Sequence, residues 1–113
     1  MEYKNNRILY NYLINDAKNR KKEFDNLDTL LIKLKNCVRE IDKDSKVYVF
    51  GSVLGNNWSY RSDIDILIIT NIDGIRQKML EKLYKKGFKY AFEFHIATEK
   101  EAEFFNKEKM KEI

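Results

Sequence analysis

The chain has no proline, one cysteine, one histidine, one tryptophan and only four glycines in 113 residues. A single cysteine, Cys37, excludes an intramolecular disulfide and any multi-cysteine zinc or redox motif. It falls on the apolar stripe of an expected helix, where a thiol is an inert core group. Without proline, helix ends have to be read from caps and from changes of period. Long apolar runs are missing too: nothing approaches the roughly 18–20 residues that cross a bilayer, and no basic-then-apolar leader opens the chain. The expected address is therefore the cytoplasm, with no membrane partner. Repeats and low-complexity tracts are absent, and 113 residues suit one domain spanning 1–113.

Charge and apolar character are both ample. Apolar residues at 43% supply a core and charged residues at 35% an exterior, which excludes a disordered chain. The excess of 22 basic over 18 acidic residues is compatible with a polyanionic ligand, without choosing between nucleotide and nucleic acid. The densest basic run, KNRKK at residues 18–22, lies between two helical patterns and reads as a solvated linker with no role.

Ile8, Leu9, Tyr12 and Leu13 predict a short helix that dissolves at Asn15. Phe24, Leu27, Leu31, Leu34, Val38 and Ile41 recur every three or four residues and predict one amphipathic helix of about five turns. The period then changes: residues 46–50 are β-branched and aromatic and stop at Gly51, and residues 64–70 form a near-continuous apolar run, expected as a strand covered on both faces. A helix through Ile75, Met79, Leu80 and Leu83 is expected, capped by Asn71 or Asp73 and closed by Gly87. Residues 90–97 read as a third strand, and Thr98-x-x-Glu101 as a capping box opening a last helix through Phe104 and Phe105. This order implies an α+β domain, a small mixed β-sheet packed on α-helices.

Chemistry concentrates in Gly51-Ser52, ten residues, then Asp63-Ile64-Asp65. A glycine directly after a strand permits a tight turn and close backbone approach, and the Ser52 hydroxyl and the amides after it can donate to phosphate oxygens. A helical turn over residues 53–56 would add further free N–H groups. Asp63 and Asp65, two apart in a strand, leave the same face with Cα atoms about 6.6 Å apart. They can converge on Mg²⁺, which takes hard oxygen ligands; the bland alternative is a pair of solvated acids at a strand start. Glu93, between Phe92 and Phe94, is an acid in a strand interior, costly there without a partner. Three such carboxylates are able to hold a pair of Mg²⁺ ions for in-line nucleotidyl transfer. His95, on the same strand face as Glu93, is read either as a group orienting the acceptor or as a hydrogen-bonded residue at the rim. Trp58 is read either as a nucleobase platform or as a packing anchor.

These residues resemble the signature of the DNA polymerase beta-like nucleotidyltransferases, specifically the minimal MNT proteins of bacteria and archaea. The similarity covers roughly residues 46–98. It implies a nucleotidyltransferase fold, with Gly51 and Ser52 on the nucleotide phosphates and Asp63, Asp65 and Glu93 as catalytic acids on two Mg²⁺ ions. It also implies ATP or another NTP as substrate and AMP transfer to a HEPN-domain partner, often a toxin RNase. Many members carry an Arg-Gly pair after the serine, where this chain has Val53, Leu54, Gly55, Asn56 and Asn57; Arg61 is the expected substitute contact to nucleotide. The rival reading is a non-catalytic antitoxin that neutralises a partner by covering it. Nucleic-acid tailing is disfavoured because the chain leaves little area for a strand-binding surface. Homo-oligomerisation is left open.

Overall fold

Ile64–Ile69 is the centre of the fold, a strand almost wholly buried on both of its faces. The computed structural model describes residues 2–55 and 57–113, and the elements around that strand are α1 (Glu2–Asp25), α2 (Leu27–Ile41), β1 (Lys46–Phe50), β2 (Ile64–Ile69), α3 (Ile75–Lys85), β3 (Phe92–Ala97), a single turn α4 (Glu99–Ala102) and β4 (Lys111–Glu112). The sheet runs in the order β3-β2-β1-β4. β1 is antiparallel to β2 and β4, whereas β3 is parallel to β2 through the α3 crossover. The expected α+β architecture with a small mixed sheet is the one observed.

The two sheet faces divide the core. Ile64, Ile66 and Ile68 of β2, with Val47 and Val49 of β1 and Phe92 of β3, pack on Leu34 and Val38 of α2 and Met79 and Leu83 of α3. Each large aliphatic side chain so buried contributes about 1.5–3 kcal/mol. On the opposite face Leu67 and Ile69 meet Ala97 and Ala102, with Tyr48, Phe50, Phe105 and Met110 against them. This second cluster covers only part of its face. Asp65, Glu93 and His95 share that face beyond it, so an apolar floor gives way to a polar corner within one strand.

Several expectations need correction. The first helix does not dissolve at Asn15 but continues to Asp25 as part of α1, so KNRKK is helical and no linker. Lys, Arg, Glu and Ala are good helix formers, and Glu23 and Phe24 at its inner face are buried. The long second helix is interrupted at Asn26 and Phe24 belongs to α1. The bonds Asn26 N–H to Lys22 and Leu30 N–H to Asn26 keep helical spacing across the break, so the apolar period runs on and conceals it. The side chain of Asn26 also donates to the Lys22 carbonyl, the local competition by which asparagine loosens helices.

Neither Asn71 nor Asp73 caps α3: Gly74, at φ 70°, stands at its N-terminus, and Asn71 instead accepts the Glu99 N–H at 3.0 Å. Gly87, at φ 98°, does close α3, with Gly87 N–H bonding Tyr84 and Phe88 N–H bonding Leu83, the paired bonds of a Schellman motif. Strand β3 begins at Phe92, two residues later than expected. The Thr98–Glu101 capping box is present, but α4 makes one turn only. The N–H groups of Phe104 and Phe105 bond back three residues, which tightens the turn, brings Phe105 to the ring of Phe50 and leaves Phe104 in solvent. Strand β4, two residues on the free edge of β1, carries no period in sequence.

Candidate active site

The corner is built by register. Phe50 pairs with Asp65, and Asp65 with Glu93, so the end of β1 and the starts of β2 and β3 meet at one edge. The chain leaves β1 through Gly51 at φ 85° and ψ −158°, a region only glycine occupies freely. A β-carbon at Gly51 would collide with the Asp65 carboxylate, so this glycine is demanded twice, by conformation and by the approach of the acid. Gly51 and Ser52 are exposed, and Ser52–Leu54 forms a single 3₁₀ turn. That turn is shorter than the helical turn expected over residues 53–56, and Asn56 lies outside the described residues.

Three side chains converge beside the turn. Ligand atoms of Asp65, Glu93 and His95 all lie within 4.8 Å of one another. His95 Nε2 stands 3.6 Å from Asp65 Oδ1 and 3.9 Å from Glu93 Oε1. That nitrogen atom is buried and has no hydrogen-bond partner among the described residues. The imidazole packs against the rings of Phe50 and Phe105, at centroid distances of 5.3 and 6.0 Å. The charge of Asp65 raises the pKa of Glu93 above the ordinary glutamate range, helped by partial desolvation and by Asp63 and opposed by His95. Two like charges held this close are what a site for a cation looks like from the protein side.

Asp63 does not join that group. It precedes β2, and its carboxylate stands 3.5 Å from the guanidinium of Arg20 on α1. Arg20 also donates to the carbonyls of Tyr60, Arg61 and Ser62, which lead into β2, and of Tyr90, which leads into β3. Glu23, less than one turn further along α1, accepts the Ala91 N–H. Burial pushes the carboxyl of Glu23 up, against the pull of the amides of Ala91, Tyr90 and Lys89. Two residues of α1 thus clamp the entries to both acid-bearing strands. Arg61 is exposed and lines, with Leu13, Ala17, Arg20, Tyr60 and Asp63, an open cavity of about 730 Å³ between α1 and the loop. Trp58 stacks on Phe24 at 4.8 Å and 5°, with Tyr60 edge-on at 5.9 Å, so it is a packing anchor of the loop.

Residues 31–113 match the family model of the nucleotidyltransferase domain. The chain belongs to that family. The match begins inside α2 and leaves α1 outside it. Among solved structures, this nucleotidyltransferase is similar to a crystal structure assigned as a nucleotidyltransferase, at 29% identity and a TM-score of 0.60 over 74% of this chain and 96% of that one. It also shares its fold with Cid1 bound to the UTP analogue UMPNPP, at 22% identity and a TM-score of 0.51 over 69% of this chain. Cid1 bound to its short product ApU gives 24% identity and a TM-score of 0.51. This nucleotidyltransferase spans 28% of the length of either Cid1 chain. No curated protein sequence matches it. The expected resemblance to a minimal nucleotidyltransferase of the DNA polymerase beta-like superfamily therefore holds.

A divalent cation fits the corner of this nucleotidyltransferase. The donors are two carboxylates and one imidazole nitrogen, and the nitrogen is buried with no hydrogen-bond partner among the described residues. The sequence had placed Asp63, Asp65 and Glu93 in one ligand set; the structure groups Asp65 and Glu93 with His95 and turns Asp63 toward Arg20. The strand alternation that singled out Glu93 also carried His95 to the same face. Arg20 and Glu23 were missed, since nothing local in a polar helical stretch reveals bonds made 40 to 70 residues away.

Proposed function

We propose that this nucleotidyltransferase transfers AMP from ATP, with Mg²⁺, to a hydroxyl of a partner protein, of which a HEPN-domain toxin is the kind suggested by its resemblance to MNT proteins. The observation that carries the reading is the row formed by Gly51, Asp65 and Glu93, where a glycine-only turn is pressed against the carboxylate of Asp65, which strand register sets beside Glu93. Asp63, Asp65 and Glu93 would hold the cations, two in number in this reading, with Asp63 leaving Arg20 to do so. A bound divalent cation supplies charge neutralisation of the phosphates and of the developing negative charge.

The chain's own groups have distinct tasks in this scheme. Exposed backbone at Gly51 and the Ser52 hydroxyl hold the β- and γ-phosphates, and Arg61 adds a positive charge on the Asp63 side. The acceptor hydroxyl oxygen forms a bond to the α-phosphorus while the bond from that phosphorus to the pyrophosphate oxygen breaks in line. The hydroxyl proton passes to the Glu93 carboxylate. Pyrophosphate leaves and AMP remains on the acceptor.

Calorimetric titration of a non-hydrolysable ATP analogue, with and without Mg²⁺, tests the first half. Wild type is expected to bind only with Mg²⁺, and Asp63→Asn/Asp65→Asn not at all. A UTP analogue titrated alongside reports base preference, and equal affinity would remove ATP from the proposal. A gain of one AMP in the mass of a HEPN-domain partner, absent with the double variant, tests the second half.

One observation favours the rival antitoxin reading: Ile8, Leu9, Tyr12 and Leu13 of α1 are exposed, an apolar surface of the kind that covers a partner. If Asp63→Asn/Asp65→Asn still neutralises the partner within an intact complex, that reading replaces transfer. Among the described residues no helix is long and apolar enough to cross a membrane.

A further inference from the structure

We infer that His95 is a ligand of the cation site and that it gives this corner a preference for a first-row transition dication, Zn²⁺ above all, over Mg²⁺. The inference rests on reading the corner as the metal site of the proposed reaction, and it changes which ion the site selects. A site made of carboxylates alone suits hard ions such as Mg²⁺, whereas an imidazole nitrogen suits Zn²⁺ and its neighbours.

The geometry points to ligation in three ways. Two ligand atoms each about 2.1 Å from one ion stand roughly 3.0–4.2 Å apart over the usual range of coordination angles. The Nε2 of His95 is 3.6 Å from Asp65 Oδ1 and 3.9 Å from Glu93 Oε1, inside that window and too long for hydrogen bonds. That nitrogen atom is also buried and has no hydrogen-bond partner among the described residues, a state that costs stability unless something completes it. Finally, Phe50 and Phe105 pack against the ring, and strand register fixes His95 opposite Leu67, on the face that carries Asp65 and Glu93. Asp65, Glu93 and His95 thus form a three-donor set with open positions on the exposed side, where substrate oxygens have access.

The chain contains one histidine, which makes the test direct. Zn²⁺ is titrated into the untagged, full-length protein while the ring proton resonances of His95 are followed by NMR. Ligation predicts that these resonances move in proportion to Zn²⁺ bound, and by much more than the shift that Mg²⁺ on the neighbouring carboxylates produces. In parallel, competition against a chromophoric chelator gives Zn²⁺ affinity, and calorimetry gives Mg²⁺ affinity, for wild type, His95→Gln and Asp65→Asn. Wild type is expected to bind Zn²⁺ at least about 100-fold more tightly than Mg²⁺. His95→Gln is expected to lose at least about tenfold in Zn²⁺ affinity, since even groups that only orient a ligand cost that much, and to change Mg²⁺ affinity less than about twofold. Equal losses for both ions would make His95 a residue that merely orients Asp65, and unmoved His95 resonances at saturating Zn²⁺ would make it a bystander; either result overturns the inference. Should His95→Gln fail to fold, the wild-type NMR titration decides alone. Mg²⁺-dependent binding of the ATP analogue in the same preparation is a separate readout, so the nucleotidyl-transfer reading can stand while this inference falls.

Discussion

Asp65 and Asp63 are two residues apart, yet they are held in different ways. Asp65 lies inside β2, paired on both sides, and its position follows from a core that includes Ile64, Ile66 and Ile68. Asp63 lies one residue before the strand, half exposed, and is held through Arg20 of α1, a residue 43 positions earlier in the chain. One acid is placed by packing and the other by a single side chain. The first arrangement follows from the core itself; the second depends on one ion pair and is lost with Arg20. Substitutions that separate these two modes should separate loss of chemistry from loss of structure.

The largest effect is expected at Asp65. Asp65→Asn removes a carboxylate without altering a core contact. Groups that merely orient a metal ligand cost 10–100-fold, so a ligand itself should cost at least about 100-fold in the rate of nucleotidyl transfer, or at least about 2.7 kcal/mol of barrier. Its melting temperature should not fall, because a like-charge contact with Glu93 is lost with it. Single-turnover rates and a thermal melt on the same preparation check both halves, and a clear drop in melting temperature would show that Asp65 is a structural residue instead.

Arg20→Ala should invert that pattern. It leaves four carbonyls without their charged donor, and with the Arg20 side chain only 14% exposed, water replaces it poorly. Hydrogen bonds to charged groups are worth about 1.5–3 kcal/mol, so a loss of about 3 kcal/mol in unfolding free energy is expected, and a melting temperature lower by at least about 10 °C. Arg20→Lys should recover little, since a single ammonium cannot fork to carbonyls at the entries of both strands. Urea denaturation of the two variants measures this. If both melt with wild type, α1 is not the clamp described, and Asp63 is placed by something else.

The contrast also explains what was legible in the sequence. Strand β2 and the acids on β2 and β3 could be read, because burial imposes a period and the interruption of that period by Asp65 and Glu93 is conspicuous. The capping box at Thr98 and the closing turn at Gly87 were legible for the same reason, being local patterns with local causes. The clamp was not. Arg20 and Glu23 sit in a polar stretch whose only visible property was positive charge, and their partners are backbone groups, which have no identity in sequence. The break at Asn26 escaped because hydrogen bonds of helical spacing bridge it, and β4 because two residues cannot display alternation.

Gly51→Ala joins the two modes and is expected to have a smaller effect than Arg20→Ala. The backbone at φ 85° and ψ −158° costs a residue with a β-carbon about 1–3 kcal/mol, and the added methyl must displace the Asp65 carboxylate. Stability and divalent-cation affinity should therefore fall together. A variant that loses stability but binds cation as wild type would mean that Asp65 has room to move aside, and that register fixes its backbone without fixing its carboxylate.

The smallest effect, and the one of opposite sign, belongs to Glu93. Its pKa is raised in the folded protein, chiefly by Asp65, so folding favours the protonated form. The stability it contributes is fully present below the ordinary glutamate value of about 4.3 and is lost as pH rises through the raised folded value. Glu93→Gln removes that loss, so it should melt slightly above wild type at pH 7, and the two curves should converge as pH falls below about 4.3. In an Asp65→Asn background the difference at pH 7 should shrink, because the charge that raises Glu93 is gone. Thermal melts of the four proteins across pH 4 to 7 complete this cycle. If the increment from Glu93→Gln persists unchanged without Asp65, the proton affinity of Glu93 comes from desolvation and Asp63, and the carboxylates of Asp65 and Glu93 do not act as one site.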